Sequence, residues 1–326
     1  MQKTLAVINL KSLKQNALYV RKIIGDRTFY AVVKADAYGH GGAEVARAIE
    51  SIVDGFCVAI TDEGVSLRLA GISKPILVLT PPLGQDDVRR ANFYNLTLTV
   101  NSIETAKMIG AMPCHIKVNT GMNRFGCNAY ELRDIINELS KEQIYGIYSH
   151  MYNPTSEADS LRQLELFNIA EKTVKNINPF AVAHLAASGG ILAGKRYLKD
   201  GVRCGILLYG YPPEGFSAEV KPVLKVYARK AQTTRFIGGG AGYVKAHKNY
   251  KNLYVYRLGY ADGFARNVPL GESPLCMDSF LSERGDELRL VLDNANEYAE
   301  KCGTIPYEVL CSATRRAERL YIYGDE

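Results

Sequence analysis

The sequence predicts an α/β protein with an N-terminal (β/α)8 barrel of the TIM type and a smaller, mainly β C-terminal domain. Eight short apolar runs alternate with helical patterns over roughly the first two hundred residues, as such a barrel requires. After Tyr211 the alternation stops, and strand-like segments with glycine-marked turns predominate. The length of 326 residues exceeds what one compact core usually serves. We therefore expect two domains, 1–216 and 217–326, with residues 1–9 pairing with the β domain.

The individual elements follow from apolar periodicity. An apolar stripe with helical spacing runs from Leu10 to Ile24 and predicts a first helix, and the clearest later helical pattern covers 157–176. The eight strand-like runs are rich in aliphatic, β-branched and aromatic residues. They cover residues 29–34, 55–60, 75–80, 96–100, 115–119, 145–149, 181–186 and 202–209. The C-terminal expectations are β-rich segments at 222–237 and 253–259 and a helical stretch near 286–301.

Composition and charge exclude several classes of protein. Hydrophobic residues make up 47% and charged residues 23% of the chain, which is typical of a globular enzyme, and the net charge is +6. The densest basic cluster, at Arg315 and Arg316, is short and is followed by Glu318, so nucleic-acid binding is disfavoured. No run approaches the ~18 apolar residues of a membrane span or forms the core of a signal peptide. Seven scattered cysteines without a CxxC pair predict reduced thiols in a cytoplasmic protein, with neither a disulfide framework nor a metal site.

A lysine stands at the end of the apolar run that begins at Phe29. The ammonium of Lys34 is costly to bury unless it is neutralised, paired or used covalently. On this segment alone two interpretations stay open. Lys34 either emerges into solvent at the end of a strand or forms a Schiff base with a carbonyl compound.

Polar side chains recur at the carboxyl ends of the predicted strands, where barrel enzymes carry their catalytic groups. They are Lys34, Tyr38, Lys117, Asn119, Arg124, His150, Ser188 and Arg203. His150 and His184 could equally be satisfied core histidines. Arg203 lies within an apolar strand, and its permanent charge needs a fixed partner if it is buried. The Ser-Gly-Gly segment at 188–190 offers backbone N–H groups that suit a phosphate, although three residues alone are a weak signal.

The segment 31–41, AVVKADAYGHG, resembles the lysine motif of the alanine racemases, which bind pyridoxal 5'-phosphate (PLP). TGMNRFG at 120–126, GYADG at 259–263 and CMD at 276–278 are also similar to motifs of that family. The resemblance covers nearly the whole chain. It implies a barrel enzyme that racemises alanine with two bases, one of which removes the α-proton from one face while the other returns it on the opposite face.

By this resemblance, Lys34 binds PLP covalently and acts as one of the two bases. The other cofactor-binding residues that it implies are Tyr38, His150, Ser188, Arg203, Gly205 and Ile206. Arg203 would face the pyridine nitrogen, and His150 would support the network around the ring. Tyr38 and Ser188 would help to hold the phosphate.

The second base of the family is a tyrosine that the partner subunit supplies, from a position shortly before the GYADG motif. Tyr243 is the residue expected here, and Tyr250 is the alternative. The substrate-binding residues that the resemblance implies are Arg124, Met277 and Asp278. Lys117 would be carbamylated and would bridge to Arg124. The implied protein is a cytoplasmic homodimer with shared active sites that supplies D-alanine for peptidoglycan.

The chain departs from the family pattern in its C-terminal part. The stretch between Gly263 and Cys276 is about a hairpin shorter, and Val244 stands where the family has a glycine. The family's C-terminal phosphate-contacting tyrosine is missing, and Arg315 is a candidate substitute. A racemase of another small amino acid such as serine and a non-catalytic PLP-binding protein therefore stay open. A PLP-free lysine aldolase is disfavoured because it leaves Arg203 without a purpose.

Overall fold

The computed structural model of the protein describes residues 4–324, which form two compact units. The larger unit comprises Leu13–Ala37 and Gly42–Val220. The smaller unit comprises the described residues of Met1–Ser12 and Lys221–Glu326, together with Tyr38–Gly41. The first strand, β1 (Leu5–Asn9), belongs to the smaller unit. The boundary expected from the sequence, between 216 and 217, stays a prediction.

The larger unit is built around eight parallel strands. They are β2 (Thr28–Val32), β3 (Gly55–Val58), β4 (Ile76–Val78), β5 (Leu98–Val100), β6 (Cys114–Lys117), β7 (Ile144–Tyr148), β8 (Val182–Ala187) and β9 (Gly201–Cys204). Their order in the sheet is β4-β3-β2-β9-β8-β7-β6-β5, and a parallel bridge between Leu77 and Thr97 joins the two ends. The predicted fold class is confirmed. All eight carboxyl ends lie at one mouth of the barrel, which is where barrel enzymes place their chemistry.

Helices connect these strands around the barrel. They are Leu10–Ile24, Gly42–Ile49, Thr61–Leu69, Gln85–Phe93, Ile103–Met108, Leu132–Asn137, Glu157–Lys175 and Ser188–Ala193, with 3₁₀ turns at Lys141–Gln143, Lys195–Tyr197 and Ile206–Tyr209. The longest begins at Ser156, whose side chain accepts a hydrogen bond from the backbone of Asp159 and caps the helix. Its buried face carries Phe167 and Val174 at helical spacing, together with one amide side chain, Gln163. No helix within residues 4–324 is both long enough and apolar enough to cross a bilayer.

The smaller unit contains the remaining strands and two helices. They are β10 (Leu224–Arg235), β11 (Gly240–Ala241), β12 (Val244–Lys245), β13 (Asn252–Arg257), β14 (Phe280–Ser282), β15 (Leu288–Leu292), β16 (Glu318–Ile322), and the helices Ala295–Cys302 and Pro306–Ala313. The main sheet has the order β14-β13-β10-β1-β16, with β15 also paired to β10, while β11 and β12 form a separate hairpin. β1 pairs antiparallel with β10 and parallel with β16, so this sheet combines the two ends of the chain.

Two sequence predictions about individual elements are wrong in detail. The run 202–209 was expected to be one strand, but β9 ends at Cys204 and a 3₁₀ turn follows, because a continuous apolar run does not distinguish a strand from a buried turn. The stretch near 286–301 was expected to be helical throughout. It begins instead with β15, whose leucines alternate with a period of two, and the helix starts only after the capping residue Asn294.

Candidate active site

Most of the site residues predicted in the N-terminal part of the chain lie at the carboxyl mouth of the barrel. Lys34 follows β2, Lys117 ends β6, Arg124 lies in the loop after β6, His150 follows β7, Ser188 follows β8, Arg203 lies in β9, and Gly205 and Ile206 come directly after it. The cationic groups are close enough to influence one another. Burial is the main cause that lowers the pKa of Lys117, and the charges of Arg203, Arg124 and Lys34 lower it further. The structure thus brings these four residues together.

Lys34 is followed by a turn of unusual handedness. All four residues 35–38 have φ between 52 and 55°, so they form one left-handed helical turn. This conformation costs about 1–2 kcal/mol for each residue other than glycine. Contacts fix the turn, since the backbone N–H of Ala35 donates to Glu63 Oε1 (2.7 Å) and Asp36 Oδ1 accepts from the backbone of the next helix (2.6 Å). Strain held in this way is typical of functional sites, and here it directly follows the lysine.

Arg203 is buried and held by neutral acceptors. Its side chain is 3% exposed. Nη1 donates to the carbonyl oxygen of His184 (2.8 Å) and to His184 Nδ1 (2.7 Å), and Nη2 donates to the carbonyl oxygen of Ser149 (2.5 Å). The guanidinium also lies 4.9 Å from the centre of the Tyr148 ring. Its acceptors among residues 4–324 are carbonyl groups and imidazoles, so no carboxylate neutralises this buried charge.

The contact with Arg203 determines which nitrogens of two buried histidines carry protons. Because a guanidinium can only donate, His184 Nδ1 accepts and is unprotonated. The proton of His184 is then on Nε2, which donates to His115 Nδ1 (2.7 Å), so His115 carries its own proton on Nε2. Burial and the charge of Arg203 lower the pKa of His115 to about 3 and that of His184 well below its ordinary value. Both rings are therefore neutral.

His150 is a more distant neighbour of Arg203 than His184 is. Its Nδ1 lies 3.4 Å from Arg203 Nη2, against 2.7 Å for the His184 contact. Burial, followed by the charge of Arg203 and of other cations at the mouth, lowers the pKa of His150 well below its ordinary value. The sequence left open whether the two histidines were simply core residues. In the structure His184 is a core residue and also accepts hydrogen bonds from Arg203.

Lys117 is the second buried cation of the mouth. It is 7% exposed, and its ammonium lies 5.3 Å from the centre of the Tyr148 ring. Within residues 4–324 it has no ion-pair partner. Burial and then the neighbouring cations lower the pKa of Lys117 from 10.5 to about 7. A large fraction of this side chain is therefore an uncharged, nucleophilic amine at neutral pH.

The loop that carries Arg124 is shaped by its own asparagine. Asn119 Oδ1 accepts from the backbone N–H groups of Gly121 and Asn123, both at 3.0 Å. The base of the loop is closed by the backbone N–H of Asn119, which donates to the carbonyl oxygen of Cys127 (2.8 Å). Arg124 itself is exposed. The loop is thus ordered at its base and presents a guanidinium that is accessible to an anion.

Ser188 ties the turn after β8 to the turn after β9. Its Oγ accepts from the backbone N–H groups of Gly205 (3.1 Å) and Leu207 (3.4 Å), and the side chain is 5% exposed. Gly189 must be a glycine for this arrangement, because an added Cβ would lie 2.6 Å from Pro154. The residues predicted to contact a phosphate from the barrel side, Ser188, Gly205 and the adjoining Ile206, are therefore neighbours.

The two tyrosines considered as the second base differ in exposure. Tyr243 lies between β11 and β12 and is 81% exposed. Tyr250 is 6% exposed, and its hydroxyl lies 3.0 Å from His247 Nδ1. The buried ring of Tyr250 packs in a small apolar cluster of the same unit. Of the two, Tyr243 is the one whose hydroxyl is accessible.

Of the other predicted residues of the smaller unit, two contact neighbours within that unit and the other two are exposed. Tyr38 is buried, with its ring centre 6.0 Å from that of Tyr307. Met277 is 53% exposed, and Asp278 Oδ1 accepts from Arg316 Nη1 at 2.6 Å. Arg315, the candidate substitute for the missing tyrosine, is exposed.

Several residues that support the site were not identified from the sequence. They are Thr120, Tyr148, Ser149, Gln163 and His115, the last of which bonds to His184. One signal was available for Gln163. It precedes Phe167 by four residues and therefore falls on the buried face of its helix, where an amide must have hydrogen-bond partners.

Three comparisons with known proteins agree. The family model "Alanine racemase, N-terminal domain" matches residues 8–213. The alanine racemase of Carboxydothermus hydrogenoformans is 33% identical over 371 aligned positions, covering 97% of this chain and 99% of that protein, and that of Streptococcus uberis is 32% identical over 98% of each. Among solved structures, the alanine racemase of Clostridium difficile gives a TM-score of 0.89 at 27% identity, covering 99% of this chain and 97% of that one. The biosynthetic alanine racemase of Pseudomonas aeruginosa gives 0.83 at 26% identity, covering 99% and 100%.

Proposed function

The chain belongs to the alanine racemase family, and we propose that it interconverts L- and D-alanine with PLP bound at the carboxyl mouth of its barrel. The family is PLP-dependent. The observation that carries the proposal is that two groups lie at the same mouth of the barrel. Lys34 follows the first barrel strand, and Arg203 is a buried guanidinium whose acceptors within residues 4–324 are neutral. An amine and a fixed donor at one mouth of the barrel are what this cofactor needs.

The residues present fit PLP. Lys34 supplies the amine that would bind its carbonyl carbon, and Arg203 supplies donors for its ring nitrogen. Ser188 with the backbone around Gly205 suits the phosphate. When bound, PLP supplies an electron-withdrawing ring that makes the α-hydrogen of an attached amino acid acidic.

Arg203 would restrain the electron-withdrawing power of the ring. A guanidinium keeps its proton at any working pH, so it can donate to the ring nitrogen but cannot protonate it. Burial and the hydrogen bonds that it donates to His184 and Ser149 fix the guanidinium in one plane. The restraint would disfavour side reactions such as transamination or β-elimination, which need stronger electron withdrawal.

Lys34 and Tyr243 are the two proposed bases. Racemisation requires one group on each face of the α-carbon, so that a proton leaves on one side and returns on the other. The amine of Lys34 would serve one face. The exposed hydroxyl of Tyr243 would serve the other, and the burial of Tyr250 against His247 supports this choice.

The exposed guanidinium of Arg124 would orient the substrate carboxylate, with Met277 and Asp278 completing the pocket across the subunit interface. Carbamylation of Lys117 would replace a buried cation by an anion, which would bridge to the guanidinium of Arg124. The uncharged amine is the form that reacts with carbon dioxide, and a pKa near 7 makes this form abundant.

We further propose a homodimer in which each subunit supplies Tyr243 to its partner, in a cytoplasmic enzyme that provides D-alanine for peptidoglycan. The exposure of Tyr243 and Met277 supports an assembly that covers them. The domain limits 1–216 and 217–326, and a phosphate contact from Arg315, belong to the same proposal.

The experiment that tests the proposed function combines an absorbance spectrum with an enzymatic assay. The purified protein is expected to show the visible band of a lysine-bound PLP and to form D-alanine when L-alanine is added. L-serine supplied in parallel tests the alternative substrate. A coloured protein that racemises neither amino acid would support the non-catalytic PLP-binding alternative, and a colourless protein that cannot be loaded with PLP would overturn both.

A further inference from the structure

Gln163 is a buried amide whose hydrogen bonds join two loops at the mouth of the barrel. It is 1% exposed and lies on the helix Glu157–Lys175. Its Nε2 donates to Thr120 Oγ1 (3.0 Å) and to the carbonyl oxygen of His150 (2.9 Å). Its Oε1 accepts from the backbone N–H of Tyr152 (3.0 Å). One side chain therefore satisfies polar groups of the loop after β6 and of the loop after β7.

The first of these contacts leads to the loop that presents Arg124. Thr120 is 2% exposed and stands four residues before that arginine. Since Thr120 Oγ1 accepts from Gln163, its own proton is available for Ser149 Oγ, which lies 2.7 Å away. The start of the Arg124 loop is thus held by a buried threonine that bonds in two directions.

The second contact leads to Arg203. The Ser149 carbonyl accepts from Arg203 Nη2, and the next carbonyl along the chain, that of His150, accepts from Gln163. Two consecutive carbonyl groups are therefore held, that of Ser149 by the Arg203 guanidinium inside the barrel and that of His150 by Gln163 on the helix outside it. Gln163 touches neither Arg124 nor Arg203, but it is bonded to the segments that hold both.

We propose that Gln163 is a positioning residue that sets the separation between Arg124 and Arg203. The inference rests on the proposed function, in which Arg124 binds the substrate carboxylate and Arg203 binds the cofactor ring. An amide suits this position because it donates twice and accepts once without carrying charge. A hydrocarbon of similar length would fill the space, but the His150 carbonyl and the Tyr152 N–H would lose this partner, and Thr120 Oγ1 would keep only its contact with Ser149.

The first test is Gln163→Leu in the PLP-loaded enzyme. We expect the KM for L-alanine to rise by about tenfold or more, because small displacements of a substrate-orienting group have large effects. The kcat should fall less, and the visible band should be unchanged, since Lys34 and Arg203 remain. Phe167→Leu is the matched control, as it loosens packing on the same helix and removes no side-chain hydrogen bond to either loop. It should lower Tm and leave KM within about twofold.

The second test is Gln163→Glu, which adds a readout that a merely structural role would not move. An ionised glutamate cannot donate to the His150 carbonyl, whereas a protonated one regains one donor. Burial raises the pKa of a carboxyl group. The ratio of KM between this variant and the wild type should therefore decrease as the pH is lowered from about 9 to about 6, while the ratio for Gln163→Leu stays constant.

Hydrogen exchange supplies a readout that is independent of turnover. In Gln163→Leu the amides of residues 119–127 and that of Tyr152, which loses its acceptor, should exchange faster, with little change elsewhere in the barrel. A KM no higher than that of Phe167→Leu, or a uniform increase in exchange, would overturn the positioning role. A wild-type enzyme without racemase activity would overturn the proposed function instead, and the exchange pattern would still decide whether Gln163 controls the loop.

Discussion

Three buried candidate residues of the barrel and two exposed ones of the smaller unit are held in opposite ways. In the barrel, Arg203, Lys117 and Ser188 are each at least nine-tenths buried. The plane of the Arg203 guanidinium is defined by several hydrogen bonds before any ligand arrives. In the smaller unit, Tyr243 and Met277 expose 81% and 53% of their surface. The three barrel side chains are positioned by the packing around them, whereas the two side chains of the smaller unit are exposed at its surface.

The difference indicates how the site is completed. Side chains locked by packing need no further ordering, which favours precise placement of a cofactor. Exposed aromatic and thioether side chains gain a fixed position only when something covers them. We therefore expect mutations in the barrel residues to affect cofactor binding first. Mutations in the displayed residues should affect turnover while leaving the bound cofactor unchanged.

The largest effect is expected from Lys34→Ala. Without the amine, the visible band of lysine-bound PLP should disappear, and racemisation should fall by at least about 10³-fold, since both covalent binding and one base are lost. Absorbance spectra and D-alanine formation measure the two losses. Lys22→Ala, at an exposed lysine of the first helix, is the control and should match the wild type. Retained colour and turnover in Lys34→Ala would refute the assignment.

Tyr243→Phe tests the exposed residues of the smaller unit in the same way. The spectrum should stay as in the wild type, while racemisation should fall by about 10²–10⁴-fold in both directions, because each direction needs one base to remove the proton and the other to return it. Solvent deuterium incorporation should be lost only from the enantiomer whose proton the tyrosine removes, which gives an independent measure. Tyr250→Phe should instead lower Tm, because it removes the contact with His247, and should change kcat little. The reverse pattern would make Tyr250 the second base.

Lys117 is expected to show a pH-dependent modification. With a pKa near 7, the uncharged amine should rise from about one tenth at pH 6 to about nine tenths at pH 8. At constant dissolved carbon dioxide, the carbamate signal in ¹³C NMR should rise with it. Lys117→Met should lose the signal, and Lys107→Met, at a surface lysine, should keep it. A signal that is independent of pH, or that survives Lys117→Met, would count against carbamylation here.

The same lowered pKa predicts a dependence of stability on pH. Between about pH 7 and 10.5 the unfolded chain binds the proton of Lys117 more tightly than the folded chain does. Unfolding therefore becomes less favourable as the pH rises through this window, and the contribution levels off above it. Urea titrations at several pH values, without carbon dioxide, give the free energy of unfolding as a function of pH. This free energy should rise less steeply with pH for Lys117→Met than for the wild type. An equal rise would show that the pKa of Lys117 in the folded state is the ordinary one.

The smallest effect concerns the left-handed turn beside Lys34. Ala35→Gly should raise the free energy of unfolding by up to about 1 kcal/mol, because glycine adopts positive φ without the penalty that alanine bears. Ala158→Gly, in the first turn of an ordinary right-handed helix, should lower it by about 0.5–1 kcal/mol. Both values follow from denaturant unfolding. Destabilisation by both glycines would show that the turn is not strained.

The barrel was predictable from the sequence because its signal is repeated. Eight apolar runs separated by helical patterns indicate the architecture even when one run, such as 202–209, is assigned too long. The order of β10, β1 and β16 was not predictable in the same way. Strand pairing between the two ends of a chain depends on register and side-chain packing, which a single sequence does not display.

The candidate site was predictable only where a motif carries it. Lys34 and Arg124 stand in long motifs, whereas the contacts of Arg203 come from residues that are ordinary in sequence, such as Ser149 and His184. Gln163 is far from all of them along the chain. Its partners are defined by the fold alone, so no spacing rule could reveal them.

The polar interior of this barrel has a consequence for its ancestry. Barrels of this type are usually filled by branched apolar side chains, which tolerate exchange one at a time. Here Arg203, His184 and His115 form a single directional chain, and Gly146 leaves the room for it, since a Cβ there would lie 2.5 Å from His115 Nδ1. A lone substitution strands a buried donor or acceptor. A substitution at one of these positions is therefore expected to need a compensating substitution at the next, which constrains how the interior of this barrel could diverge.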